Sequence, residues 1–386
     1  MRLPSKDDVI AGGPSGVYGP LPQLGYVPHV IVAKILPIGD LSLVGRFGSL
    51  LAGLAAVLAA YFLGREVFSS RTCALALPVM LLFHPQLVFV NSYSNSDTTT
   101  CALCSVLLLL FVRAIKGGLS VRMSLLIGFL LGWTALTKYS GVAIFPPAIL
   151  ALILSVFIHR YTMQQSLKHL LIVGGTFALT CGWWFLRSFR EFDGDVLGTK
   201  TMRTLWAKTY NKPLEYKIPL SHVIKDQVFW STIHDSYWGL FGYVSRFLHP
   251  AIYYTYLGFL GTAIIGGIKQ FLQSSVRANK FFHKDLLADR QKLVSPAIWM
   301  TFGLCVATNI SAMVAGAAMN LGGAQGRYLF PSEIAIMALL IAGLSKFGKV
   351  GEYLVLALVI FNVLVCFGAF FMLMHTPGYG FTTKLY

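Results

Sequence analysis

Long apolar runs recur along the chain, parted by short polar breaks, at roughly 42–64, 72–90, 98–115, 122–137, 141–158, 168–187, 250–271, 295–316, 329–345 and 350–374. Most of these runs are about 20 residues long, the length a helix needs to cross roughly 30 Å of hydrocarbon. They lack the strict apolar–polar alternation of membrane β-strands. The pattern predicts an all-α, polytopic transmembrane helix bundle of about ten spans. It divides the chain into a leading segment at 1–41, an N-terminal bundle at 42–187, one long loop at 188–249, a C-terminal bundle at 250–374 and a tail at 375–386.

Composition agrees with the pattern. Hydrophobic residues make up 56% of the chain and charged ones 12%, which a water-soluble domain could not hide. The net charge of +16 is spread between apolar runs instead of forming one basic face, so it argues for membrane topology and anionic lipid, not nucleic acid. If the spans alternate, the breaks holding Arg65 and Arg71, Arg113, Lys116 and Arg122, Arg160 and Lys168, Lys269 to Lys292, and Lys346 and Lys349 share one side. By the positive-inside rule that side is cytoplasmic. The short breaks on the other face carry only Lys138 and Arg327. The loop at 188–249 and the segment at 1–41 are then extracytoplasmic, and no export signal stands ahead of that first segment. The expectation is a chain that resembles a longer protein lacking its first span. All six cysteines lie in or beside apolar runs, which predicts buried small side chains and no disulfide framework.

Charged residues are rare enough here to be read one at a time. Asp97 is the sole acid between Glu66 and Glu191, placed where the polar stretch Asn91-Ser92-Tyr93-Ser94-Asn95-Ser96-Asp97 enters a helix. It suits an N-cap ahead of Thr98; it equally suits a carboxylate that orients an acceptor, takes its proton or holds a divalent cation. Lys138, beside Tyr139, either snorkels to the interface or meets a phosphate. Arg327 follows Gly322, Gly323 and Gly326, which let the backbone come close, and its rigid fork suits phosphate oxygens; a pairing with Glu333 or Asp97 is the alternative. His84, before Pro85, reads as a polar break between packed helices or as a substrate contact. Arg187 opens the long loop, and Asp193-Gly194-Asp195 after it reads as a turn, with a cation-binding site as the alternative. The loop carries Trp206, Tyr210, Tyr216, Trp230, Tyr237, Trp238, Phe241 and Tyr243, an aromatic belt at the membrane surface or a lid over a sugar, with a helix lying flat over 221–230. No nucleotide, zinc or serine-protease motif is present, so ATP-driven and proteolytic readings have no support.

These features together resemble the GT-C superfamily of membrane glycosyltransferases, and within that neighbourhood an uncharacterised bacterial family of predicted membrane proteins. The resemblance rests on Gly19-Pro20-Leu21-Pro22-Gln23-Leu24-Gly25-Tyr26-Val27-Pro28, Gly45-Arg46-Phe47, Ser94-Asn95-Ser96-Asp97 and Leu136-Thr137-Lys138-Tyr139. It continues through Trp184 to Arg187, Ser236-Tyr237-Trp238-Gly239-Leu240-Phe241-Gly242 and Gln325-Gly326-Arg327-Tyr328-Leu329-Phe330-Pro331. It implies transfer of a sugar from a polyprenyl-phosphate donor to a glycan, lipid or protein acceptor outside a bacterial plasma membrane, with polyprenyl phosphate leaving. The superfamily's first-loop acid would be Asp7 or Asp8, Asn95 and Asp97 would form the second acidic motif, and Lys138 and Arg327 would touch the donor phosphate. Tyr139, Arg187, Trp238 and Tyr328, in the same motifs, join Asn95 as substrate-binding candidates. The one cofactor these residues leave open is a divalent cation. The competing expectation is a non-catalytic membrane protein that binds or translocates lipid-linked glycans.

Overall fold

Every apolar run named above is helical. The computed structural model describes residues 26–35, 41–209, 218–242, 245–281, 290–319 and 324–375. Helix α1 (Val27–Ile35) leads into α2 (Leu41–Val67), then α3 (Arg71–Leu82), α4 (Pro85–Asn91), α5 (Ser96–Gly117) and α6 (Val121–Thr137). A 3-10 turn, Tyr139–Ile144, runs into α7 (Phe145–Ile158), followed by α8 (Met163–Glu191). Outside the bundle lie α9 (Thr199–Thr209), α10 (Leu220–Lys225), α11 (Gln227–Gly239) and a two-stranded antiparallel ribbon of β1 (Leu240–Phe241) and β2 (Arg246–Phe247). The chain then re-enters through α12 (Pro250–Phe281), α13 (Val294–Ala318), the 3-10 helix Gly326–Ser332 with α14 (Glu333–Ser345), and α15 (Lys349–Met374).

Among the described residues, 8 helical stretches are long and apolar enough to cross a membrane, and α3 with α4 makes a ninth, bent by 48°. The bend has a local cause. His84 is extended, and Pro85 at the first position of α4 supplies no amide to the helix before it. The tenth expected span, α6, has 17 residues, about 26 Å of helix, just short of the hydrocarbon thickness. The chain is an all-α polytopic integral membrane protein.

Contacts between the breaks support strict alternation of the spans. Lys116 Nζ lies 2.5 Å from Glu66, Ser70 Oγ donates to Glu352 at 2.7 Å, and Arg290 donates to the Phe157 carbonyl at 2.6 Å. All of these breaks lie at one end of the bundle, and Asp97, Lys138 and Arg327 lie at the other.

Helix α5 is the axis. Its membrane window is 89% buried, against 28% for α15, whose Leu364, Phe367 and Phe371 face outward where lipid would lie. An apolar helix buried on all sides has no polar face to lose, and α5 fills its core with Leu107, Leu108 and Phe111. Where α12 crosses α14, Gly266 and Gly343 bring the two backbones together; a Cβ on either would strike the other helix's main chain.

The outer segment corrects one expectation. The flat helix over 221–230 is broken at Asp226, whose carboxylate caps α11 by accepting from Val228 N at 2.9 Å and Phe229 N at 3.2 Å. Asp193 and Gly194 do form a turn, both at positive φ, and Asp195 accepts from Thr201 N at 2.8 Å.

Candidate functional site

The site begins at the N-terminus of α5. Asn95, not Asp97, is the cap: its Oδ1 accepts from Thr98 N at 3.1 Å, and its Nδ2 donates to the carbonyls of Val90 at 2.6 Å and Tyr93 at 2.9 Å. All of its amide's bonding goes into shaping the loop. The cap releases Asp97, in the first turn, from local hydrogen bonding. Its side chain is 6% exposed and meets the ammonium of Lys138 at 2.5 Å through Oδ1. Arg327 Nη1 lies 4.0 Å from Oδ2. Of the two alternatives for Arg327, the pairing is therefore with Asp97.

Each cation is delivered by a helix terminus. Lys138 is the extended residue that closes α6, and Arg327 stands on the 3-10 helix that begins at Gly326. Tyr328 puts its ring under both, 5.4 Å from Lys138 Nζ and 5.8 Å from Arg327 Cζ, a cation–π platform that limits where they can swing. Tyr93 hydrogen-bonds Arg327. Tyr26 stands near enough that its phenol, pushed up first by burial, is pushed further by the Asp97 carboxylate.

Gly326 is required by close approach. A Cβ there would overlap the Tyr237 main chain, and the Gly326 amide donates to Ser236 Oγ at 2.7 Å. The Tyr237 backbone and the Ile233 carbonyl that a Cβ would strike are main chain, not flexible side-chain tips that could give way. Gly326→Ala is expected to destabilise the protein by about 2 kcal/mol or more and to shift Arg327, read as a lowered thermal unfolding midpoint of the purified protein.

Arg327 also lines a cavity of about 510 Å³. Gln86 and Tyr93 form one wall, Ser236 another, Gln325 and Arg327 a third, and Arg46 reaches in from the first turns of α2. Among the described residues no carboxylate pairs with Arg46. The sum is one buried carboxylate among three cations, a site suited to an anion. The Gly45-Arg46-Phe47 motif by itself assigns Arg46 no role. The signal that could have found it is a cation placed at the outer end of an apolar run, where it needs a headgroup or a ligand to meet.

The other candidates are placed as follows. Trp238 is 3% exposed and stacked on Tyr256, with ring centroids 3.8 Å apart and planes 5° apart. Burial and stacking make it part of the core under the outer loop. The Tyr139 hydroxyl bonds the Leu197 carbonyl and ties the outer loop down. Arg187 stacks over Trp184 at 4.9 Å and Phe192 at 5.9 Å, at the end of α8, and is not among the residues lining the cavity. Asp7 and Asp8, with Tyr210, Tyr216, Tyr243 and the side chain of Trp206, lie outside the described residues. Both oxygens of Asp97 face cations, and among the described residues no group of three His, Cys, Asp or Glu side chains could hold a metal ion.

No curated protein and no solved structure matches the chain significantly. A family model does: residues 26–184 match the family described as dolichyl-phosphate-mannose-protein mannosyltransferase. The match covers less than half of the chain, from Tyr26 through Asp97 and Lys138 to Trp184, and ends before Arg327. On the part of the chain that supplies Tyr26, Arg46, Asp97 and Lys138, this match supports the resemblance to the GT-C superfamily of membrane glycosyltransferases.

Proposed function

We propose that the protein is a membrane glycosyltransferase that moves a sugar from a polyprenyl-phosphate donor to a cell-envelope glycan, lipid or protein. The observation that carries this reading is Asp97 held between Lys138 and Arg327, beside a cavity that Arg46 and Arg327 share. The family match supports the donor class, and its description names mannose.

The geometry suits the chemistry. A sugar joined to polyprenyl phosphate carries one negative charge on its phosphodiester, and the departing polyprenyl phosphate carries up to two. Preset cations near the bridging phosphate stabilise the charge that grows as the C–O bond breaks, and more so away from bulk water. Arg327 and Arg46 contact the phosphate from two walls. Lys138 adds to the field. Asp97 fixes Lys138 and Arg327 in place, and Tyr328 supports them. The acceptor's hydroxyl or amine attacks the anomeric carbon, and its proton passes to Asp7 or Asp8, the first-segment acids that the resemblance names. The isoprenoid chain runs down an apolar groove between spans, which is why the enzyme is a membrane protein. The site lies on the extracytoplasmic face of the plasma membrane, with the loop at 188–249 beside it.

The test is to place the purified protein in nanodiscs with radiolabelled polyprenyl-phosphate-mannose and membrane-extracted acceptors, and to follow free polyprenyl phosphate. Acceptor-dependent release is expected. Binding without release favours the non-catalytic carrier; no binding at all ends the reading.

A further inference from the structure

Below the cavity lies a polar cluster to which the proposed chemistry gives no part. His84 Nδ1 and Glu333 Oε1 are 2.8 Å apart, and both side chains are fully buried. The imidazole packs against Tyr237 at 4.8 Å, Trp238 at 5.4 Å and Phe330 at 6.1 Å between ring centroids, and neither of its nitrogens, neither Glu333 oxygen and not the Tyr237 hydroxyl completes a hydrogen bond among the described residues. The Tyr237 phenol, raised well above its ordinary range by burial, is raised further by the Glu333 carboxylate beside it. Ionisable groups buried in a membrane protein are costly to hold, so a pair kept there needs a reason.

Their positions supply one. His84 is the hinge residue of the bent span, immediately before α4, and Gln86, Phe89, Ser92 and Tyr93 on one cavity wall follow from it. Glu333 is the joint between α14 and the 3-10 helix that presents Arg327. Tyr237 is the neighbour of Ser236 on α11, the third wall. The three cluster residues thus come from three of the segments that shape the cavity, one from each; α2, which carries Arg46, is the fourth. Two more bonds join the same segments nearer the cavity: Leu240 N donates to Gln86 Oε1 at 2.8 Å, and Gly326 N donates to Ser236 Oγ at 2.7 Å.

We infer that His84, Glu333 and Tyr237 are positioning residues: a buried polar joint that sets the spacing of the cavity walls, and with it the reach of Arg327 towards a bound phosphate. Each wall is a short helix or 3-10 turn, and such elements hold their place through packing more than through their own propensity. An apolar contact would let them slide. A polar pair buried in contact at 2.8 Å, with no other partner among the described residues to turn to, resists being drawn apart.

The ligand half of this inference rests on the proposed function, so the test has two arms. In the first, which needs no substrate, spin labels go on Ser92→Cys and Gln325→Cys, one on each of two walls, in a Cys366→Ser background. The dipolar broadening between them is then compared in the parent protein and in His84→Asn, Glu333→Gln and Tyr237→Phe. The last variant removes only a hydroxyl and folds most safely. A wider or broader separation in each is expected, and return towards the parent value in the double variant His84→Gln/Glu333→Gln, which can form a polar contact without charge. Asn362→Ala is the control. It breaks a buried hydrogen bond, Tyr256 to Asn362 at 2.9 Å, between α12 and α15, neither of which supplies a residue lining the cavity, and is expected to leave the labels unmoved.

The second arm measures affinity for farnesyl phosphate without labels. Losses of roughly tenfold in Glu333→Gln and three- to tenfold in Tyr237→Phe are expected, with no loss in Asn362→Ala at matched thermal stability. Unmoved labels in Tyr237→Phe and Glu333→Gln would overturn the joint, as would equal movement in Asn362→Ala. A parent protein that binds no farnesyl phosphate would instead sink the functional reading, and the first arm would still decide this one.

Discussion

Arg327→Ala is expected to lower transfer from a lipid-linked sugar by about two to three orders of magnitude while leaving a folded protein. The size follows from its place: its guanidinium lines the cavity, lies 4.0 Å from Asp97, and has a buried Nε without a partner among the described residues. Removing one preset donor from a developing anion costs about 2.7–4 kcal/mol in enzymes where it has been isolated, or roughly a hundred- to a thousandfold. The side chain is 34% exposed, so its loss uncovers little apolar core and costs little stability. Arg327→Lys keeps the charge and loses the two-pronged geometry, and about a tenfold deficit is expected to remain. Arg46→Ala, on the exposed side of α2, is expected to lose about tenfold. Steady-state rates with a labelled donor check all three. If the contact strengthens as the phosphate leaves, the Arg327→Ala loss falls on kcat; a loss confined to KM would mean that Arg327 binds donor and transition state alike. A kcat/KM within threefold of the parent would remove Arg327 from the site.

The sequence was informative about the site because the chain is poor in charge. In an apolar span each ionisable residue needs a partner, an interface or a function, so Asp97, Lys138 and Arg327 could be singled out one by one and put at one end of the bundle by counting spans. Composition does not show which residue satisfies which. Asn95 and Asp97 both stand at the start of a helix, and only the fold of the preceding loop, through the Val90 and Tyr93 carbonyls, makes the amide the cap and frees the acid. Trp238 lies among the aromatics of the outer loop in the sequence, and nothing local marks it as the one stacked flat on Tyr256. A loop residue's burial is set by what returns over it, here α12, more than a hundred residues before the α15 residue Asn362 that completes the contact. His84 and Glu333 are far apart in the chain, and no local pattern announces a buried pair of that separation. The bend at Pro85 and the count of spans were matters of short-range chemistry; the contacts between walls were not.

Asp97→Asn separates the two roles open to this acid. As the anchor of Lys138 and Arg327, it holds two partly buried cations, 23% and 34% exposed, and its loss leaves both without their counter-charge. Breaking a fully buried pair costs about 3–5 kcal/mol, and the partial exposure here brings the expected loss to about 2–3 kcal/mol, read by thermal unfolding in detergent. Affinity for farnesyl phosphate is expected to fall about tenfold or more as well, because the cations no longer hold their places on the Tyr328 ring. Were Asp97 instead the base that takes the acceptor's proton, Asp97→Asn would lower kcat and leave phosphate affinity and stability near the parent values. A second substitution sharpens the distinction. Asp97→Asn with Lys138→Met removes both charges, and most of the lost stability is expected to return, since an apolar pair can replace an ion pair at little cost. Transfer is not expected to return, because the field at the phosphate is then short of one cation and Arg327 is still unanchored. Stability recovered without activity is the signature of a carboxylate whose work is to position cations, whereas stability untouched by the first substitution would mean that Lys138 and Asp97 do not lean on each other at all.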